Sequence, residues 1–241
     1  VLMDQYGRLH HFDVPDTIRW LGNTEYTAVE WAMNEHEMYI GSLSDIGDDL
    51  PTCYDEMRTH PESKEWLAGL DAELSSLQKY DTWTECVLPK GKRAFESRVV
   101  CKKKRNAQNV VTKHKVRLVA KGFSQLEGLD YFETTSPVVS HAAMRTLIAT
   151  AAAKGHELFQ IDIENAFLNA PLEEEIYMRM PKGMRKFDNQ GREIVCRLNK
   201  AVYGLKQASR AFYKKLRSVL LGLGFKPCPV EPCLFRLEKD G

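Results

Sequence analysis

FQIDIENAFLNAPLEEEIYM, residues 159–178, sets one aspartate, Asp162, between Ile161 and Ile163 at the end of an apolar, alternating run. Period-two alternation after a helix stop predicts a strand over 158–163. Two readings of its terminal carboxylate are open. A strand-end Asp often caps the turn that follows it, here 165–168. Presented to solvent at a sheet edge, the same oxygens can hold Mg²⁺. The surrounding sequence has to decide between them.

Immediately upstream, SHAAMRTLIATAAAKG predicts a helix with Ser140 as its cap, Met144, Leu147, Ile148 and Ala151 turned inward, and Gly155 as its stop. Downstream, EEIYMRMPKG and EIVCRL can pair as a hairpin across the polar stretch 186–192. SRAFYKKLRSVLLGLGF then aligns Phe212, Leu216, Val219, Leu220 and Leu223 on one helical stripe ended by Gly224. Nearer the N-terminus, PESKEWLAGLDAELSSLQKY sets Trp66, Leu67, Leu70, Leu74 and Leu77 on one face, with Pro61 suited to a first turn. Between these helices, residues 82–123 alternate around a Pro-Lys-Gly break and an RNAQN turn, which predicts a small antiparallel sheet. The fold class is therefore α+β. Residues 1–59 read as a lead-in without a sustained period, with one helix about Ala28 to Tyr39, and the organised domain as 60–241.

A chain of 241 residues can bury a real core, and its formal charge of +1 excludes a globally basic nucleic-acid binder. Charge is instead local. Lys90, Lys92, Arg93, Arg98, Lys102, Lys103, Lys104, Arg105, Lys113, Lys115, Arg117 and Lys121 are opposed only by Glu96. On strands, alternate members share a face, which is either a solvated hairpin surface or a site for a phosphate backbone or triphosphate. The six cysteines form no Cys-x-x-Cys pair or zinc array, so reduced thiols in a cytoplasmic or nuclear setting are expected, without disulfide or structural zinc. Cys228 and Cys233 lie among prolines without a third or fourth ligand nearby in sequence, which favours a structural role over a metal clip. No apolar run nears the roughly 20 residues of a membrane span, and no secretory signal layout is present.

Three blocks, RLVAKGFSQLEGLDYFETTSPVV, QIDIENAFLNAPLEEEIYMRMPKG and AVYGLKQASRAFYKKL, resemble the Ty1/copia class of retrotransposon reverse transcriptase in order and spacing. The likeness extends upstream through WLAGLDAELSSLQKYDTW and covers about residues 60–236. It implies part of a right-hand polymerase, with fingers at about 82–123 and an incomplete palm at about 140–241. Asp162 falls on the first catalytic aspartate, whose family role is to bind two Mg²⁺ ions that organise the triphosphate for in-line attack by the primer 3′-hydroxyl. The resemblance further implies that Ile163 offers its carbonyl to the nucleotide-side metal. Asn165, Ala166 and Phe167 line the nucleotide pocket, where Phe167 disfavours a 2′-hydroxyl. Tyr203 and Gly204 match the loop beneath nucleotide and template base. Arg117, with Lys104 or Lys115, matches the triphosphate contacts. Lys102, Lys103, Lys104, Lys115 and Lys121 are the expected nucleic-acid contacts. Implied partners are an RNA or DNA template with primer, dNTPs and the rest of a polyprotein: the remaining palm, thumb and RNase H.

The sequence also departs from the family pattern. The family's second and third aspartates lie in Tyr-x-Asp-Asp, which these residues do not contain; the one Asp-Asp pair, Asp48 and Asp49, precedes the fingers and lacks the tyrosine. One carboxylate does not hold two Mg²⁺ ions, so this chain alone is expected not to polymerise. Thr135, Ala170 and Ser209 replace the more usual Phe, Gly and Pro, which admits an alternative: a non-catalytic nucleic-acid-binding remnant of a decayed element. Glu173, Glu174 and Glu175 read as a solvated loop rather than ligands.

Overall fold

The computed structural model describes residues Leu2–Met3, Leu9–His10, Tyr26–Val29 and 49–237. The chain divides into two compact units, a larger one of Asn34–Thr134 with Phe167–Phe212, and a smaller one of Val1–Met33, Thr135–Ala166 and Tyr213–Gly241. In the smaller unit, β1 (Leu2–Met3) pairs antiparallel with β2 (Leu9–His10), and β3 (Tyr26–Val29) is a further strand. The helix expected from Ala28 thus begins on a strand; the rest of that span lies outside the described residues.

The larger unit starts with α1 (Tyr54–Thr59) and the amphipathic α2 (Ser63–Lys79). Trp66, Leu70 and Leu77 of α2 are buried and Leu67 and Leu74 half-buried, as the helical spacing requires. Pro61 lies just ahead of the helix, with Glu62 in the cap position. β4 (Trp83–Val87) and β5 (Ala94–Phe95) precede the hairpin of β6 (Ser97–Arg105) and β7 (Val111–Ala120), an antiparallel pair in regular register from Ser97↔Ala120 to Lys104↔Lys113. Asn106 closes the polar turn, its Oδ1 accepting from the backbone N–H of Gln108 and Val110 at 3.1 and 2.9 Å.

Directly paired residues of an antiparallel ladder share a face. Val99, Cys101 and Val116 therefore lie on the side that packs with Trp66, Leu70 and Met57 in one cluster. The approach of α2 is close: a Cβ on Gly69 would lie 2.7 Å from the His114 carbonyl oxygen.

β8 (Tyr177–Met178), β9 (Lys186–Phe187) and β10 (Glu193–Leu198) complete the unit. β10 is central: it pairs antiparallel with β4, β8 and β9, while β5 joins β8 in parallel. The expected β8–β10 pairing is present, whereas β4 pairs with β10 rather than inside its own segment. Phe95, Leu118, Ile176, Met178, Leu198, Val202 and Leu205 build the main core against this sheet.

In the smaller unit, α3 (His141–Lys154) has both predicted ends: Ser140 Oγ accepts from the Ala143 N–H, and Gly155 is left-handed at φ 67°. Its expected inward stripe is corrected in part: Ala151 is buried and Met144 and Leu147 are half-buried, but Ile148 is exposed. A short Ala/Thr-rich helix has little apolar area, and a stripe is buried only where another element covers it. α4 (Ala208–Gly222) is apolar on the expected side, with Leu220 buried beside Phe225 and Phe235 and with Leu216 and Leu223 against them. β11 (Lys226–Pro227) pairs with β12 (Leu234–Leu237), which pairs in turn with β3.

The second correction concerns the opening stretch. Residues 156–163 form no strand; Leu158, Phe159, Ile161 and Asp162 are exposed. Alternation supplies the two faces of a strand, but a ladder also needs a neighbour for the N–H and C=O groups, and none of the paired strands includes this run.

Candidate nucleotide and nucleic-acid interface

The hairpin sorts the lysine cluster by parity. Arg98, Lys102 and Lys104 on β6 share the side of β6–β7 opposite Trp66 with Lys113, Lys115 and Arg117 on β7, since Val100↔Arg117, Lys102↔Lys115 and Lys104↔Lys113 are direct partners. Two of those partnerships set like charges opposite one another, which destabilises a sheet unless anions are drawn in.

Lys103 points the other way. Its Nζ lies 2.5 Å from Glu62 Oε2, with His114 Nε2 3.4 Å from the same oxygen. The hydrogen bond from Lys103, first, and that from His114 hold the Glu62 carboxyl below its ordinary range against the opposing effect of burial. Lys103 thus fastens the hairpin to the start of α2 and lies on the opposite side from Lys102, Lys104 and Lys115. Lys121 follows β7, its backbone N–H donating to the Glu96 carbonyl at 2.8 Å.

Lys115 is the strained member of the cationic face. Burial, then the charges of Arg117, Lys104 and Lys113, push its ammonium down to about 8, with Glu73 partly opposing. Glu73, reaching over from α2, accepts from the Leu118 N–H at 3.2 Å, and burial pushes its carboxyl up despite that bond and the nearby Arg117 and Lys115. A lysine depressed in the folded state favours folding fully only above its unfolded value, and that contribution is lost as pH falls through about 8. Urea unfolding midpoints should therefore rise between about pH 8 and 10.5 relative to Lys115→Met, which should also be the more stable chain at pH 7. Parallel pH profiles of the two proteins would refute this.

The base of β7 meets two distant segments. The Arg117 guanidinium carbon lies 4.6 Å from the centroid of the Tyr203 ring, and Phe167 meets Tyr203 edge-on at 4.9 Å. Phe167 also meets Phe212 edge-on at 6.4 Å. The Ala120 N–H donates to the Tyr203 carbonyl at 2.8 Å, joining the two backbones. Gly204 sits at φ 89°, with the Ala120 carbonyl oxygen 2.2 Å from where a Cβ would be. Of the seven residues that the resemblance implies for the nucleotide site, four, Arg117, Phe167, Tyr203 and Gly204, are brought together here.

Beneath them lies a polar network that sequence reading passed over. Gln125 and Gln207, each only 3 % exposed, join side chain to side chain at 3.0 Å. A Gln in a polar loop carries no period, so only its burial identifies it. The Lys206 ammonium donates to the Tyr131 hydroxyl at 3.1 Å and lies over that ring.

Asp162, Ile163, Asn165 and Ala166 belong to the smaller unit. Asp162 is exposed and Ile163 half-buried; Asn165 is left-handed at φ 50°, a conformation Asn tolerates. Ala166 opens the 3₁₀ turn Ala166–Asn169 that carries Phe167. Among the described residues, no three His, Cys, Asp or Glu side chains cluster as metal ligands. A single carboxylate is too few donors for Mg²⁺, so these residues by themselves do not fit the expected two-ion site. Glu175 is not merely solvated, because Lys92 Nζ at 2.7 Å and the Tyr177 hydroxyl at 2.6 Å both donate to it. All six cysteines are free thiols, and burial pushes Cys101 and Cys196 up to about 12, outside reactive range. No helix among the described residues is long and apolar enough to cross a membrane.

The fold is mixed α and β, with small sheets and few helices, and one hairpin carries the cationic face. Residues 80–240 match the family described as reverse transcriptase (RNA-dependent DNA polymerase), and the chain belongs to that family, in its Ty1/copia-type branch. It is 40 % identical over 79 % of its length to the Retrovirus-related Pol polyprotein from transposon TNT 1-94 of Nicotiana tabacum. The corresponding values are 37 % over 72 % for that from transposon RE2 of Arabidopsis thaliana, and 30 % over 76 % for the Truncated transposon Ty1-A Gag-Pol polyprotein of Saccharomyces cerevisiae. The chain spans only 14, 12 and 15 % of those three relatives, respectively. No solved structure matches it.

Proposed function

We propose that this chain supplies the fingers, at about 82–123, and part of the palm, at about 140–241, of a right-hand RNA-directed DNA polymerase within a larger Pol polyprotein. The observation that carries the reading is the six-cation face of the β6–β7 hairpin, continuous through Arg117 with the Tyr203 ring. Lys102, Lys104, Lys113 and Lys121 contact phosphates of primer and template, while Arg117 and Lys115 face the triphosphate of the incoming dNTP. Phe167 abuts the sugar and excludes a 2′-hydroxyl, and Tyr203 with Gly204 supports nucleotide and template base. Asp162 contributes one carboxylate toward Mg²⁺, Ile163 its carbonyl, and Asn165 and Ala166 contact the nucleotide. Asp162 and the Ile163 carbonyl would hold Mg²⁺ only together with carboxylates from elsewhere in the polyprotein, and the ion would there supply positive charge at the triphosphate. The remaining palm, thumb and RNase H of the polyprotein are the protein partners. The setting is a cytoplasmic particle or the nucleus.

A second reading, a nucleic-acid-binding segment without chemistry of its own, rests on the cationic face alone. One titration separates the two. Primer–template should bind with steep salt dependence, and replacing Lys102, Lys104 and Lys113 by alanine should lower the logarithmic slope by about 3. On that complex the matching dNTP should bind in preference to its ribonucleotide analogue, and Phe167→Ala should erase the preference. A flat salt response rejects both readings; salt-dependent binding without sugar discrimination leaves only the second.

A further inference from the structure

The Tyr203–Gly204 turn is held from below by two buried amides that no part of the function above uses. Gln125 Nε2 donates to Gln207 Oε1 at 3.0 Å, Gln125 Oε1 accepts from the Lys206 backbone N–H at 2.9 Å, and Gln207 Nε2 donates to the Asp130 carbonyl at 2.9 Å. Asp130 is itself buried, its Oδ2 accepting from the Leu126 N–H at 2.8 Å and lying 3.4 Å from Arg93 Nη1. The pair therefore ties the turn after β7 and the adjoining loop 126–131 to the 203–207 turn, about eighty positions away. A buried amide left unbonded is costly, so each member demands the other and fixes the spacing of the backbones they join. That spacing is already at its limit, since a Cβ on Gly122 would lie 1.9 Å from the Gly204 carbonyl oxygen and 3.1 Å from Gln125 Oε1.

We propose that Gln125 and Gln207 are positioning residues that hold the Tyr203–Gly204 turn against β7, and with it the ring that Arg117 and Phe167 flank, so that the turn presents one fixed surface to the incoming nucleotide. The inference rests on the reading of Tyr203 as a nucleotide contact. Neither glutamine touches nucleotide; both act through the Tyr203 ring. Methionine keeps the length of glutamine without its hydrogen bonds. Gln125→Met and Gln207→Met should therefore leave a folded chain whose turn is no longer fixed.

The test measures the Tyr203 ring resonances by NMR in tyrosine-labelled chain, assigned by Tyr203→Phe, together with the affinity of the primer–template complex for N-methylanthraniloyl-dATP. Leu50→Ala, a half-buried change packed against the Trp66 cluster rather than the core that holds Val202 and Leu205, serves as a control for thermal stability. The expected result is collapse of the Tyr203 shifts toward free tyrosine in each glutamine variant. Nucleotide affinity should fall about ten- to a hundredfold with the primer–template salt slope retained, while Leu50→Ala shows neither change. Unmoved Tyr203 shifts in both variants, or the same collapse in the control, would overturn the positioning role whatever the nucleotide affinity. Collapsed shifts with unaltered nucleotide affinity would overturn the reading of Tyr203 as a nucleotide contact, leaving the pair a purely structural brace. Gln207→Glu, which keeps an acceptor toward Gln125 but loses the donor to Asp130, should give intermediate shifts; wild-type shifts there would count against the Asp130 arm.

Discussion

Gly204→Ala should destabilise the larger unit by about 3 kcal/mol or more, as two independent penalties fall on one methyl group. The first is conformational: Gly204 sits at φ 89°, where an L side chain costs about 1–2 kcal/mol. The second is steric: the new Cβ would lie 2.2 Å from the Ala120 carbonyl oxygen and 2.7 Å from Val119 Cγ1. The oxygen belongs to a backbone whose N–H is bonded to Tyr203, so it cannot retreat without breaking the contact that seats the turn. Gly128→Ala is the comparison, since Gly128 has φ 77° but open space where its Cβ would be, and it should lose only the conformational part. Urea midpoints followed by far-ultraviolet circular dichroism measure the difference. Equal losses at the two positions would show that the backbone of the Tyr203 turn yields.

Trp66→Ala should cost about 3–5 kcal/mol, the range for emptying a large buried aromatic site. Trp66 is 0 % exposed and packs with Met57, Leu70, Val99, Cys101 and Val116, while His114 meets its ring edge-on at 4.5 Å. These contacts seat the β6–β7 hairpin on α2, aided on the same side by the Lys103–Glu62 ion pair. Its loss should therefore weaken primer–template binding even though Trp66 is remote from the cationic face. Trp66→Phe should be much milder: the indole Nε1 has no hydrogen-bond partner among the described residues, so phenylalanine gives up volume but also removes a buried donor that they leave unpaired. A Phe variant as unstable as the Ala variant would mean that the indole is held by a polar contact rather than by packing.

Family membership was readable without coordinates, from three motif blocks in order. So were the features governed by neighbours in sequence. The apolar stripe of α2, the Ser140 and Gly155 ends of α3, the stripe of α4, the Asn106 turn and the antiparallel relation of β8 and β10 all follow from residues a few positions apart. The parity that separates Lys103 from Lys102 and Lys104 was also implicit in the strand period.

Tertiary structure decided what depends on partners remote in sequence. Register, not composition, set Lys113, Lys115 and Arg117 beside Lys102 and Lys104. Sheet order sent β4 to β10, and close glycine contacts and two buried amides brought the Tyr203 turn to the end of β7. The run at 158–163 shows the reason most directly. Its alternating side chains are a property of the chain, but a strand is a property of two chain segments, and the hydrogen bonds that would define it belong to a neighbour the local pattern cannot name.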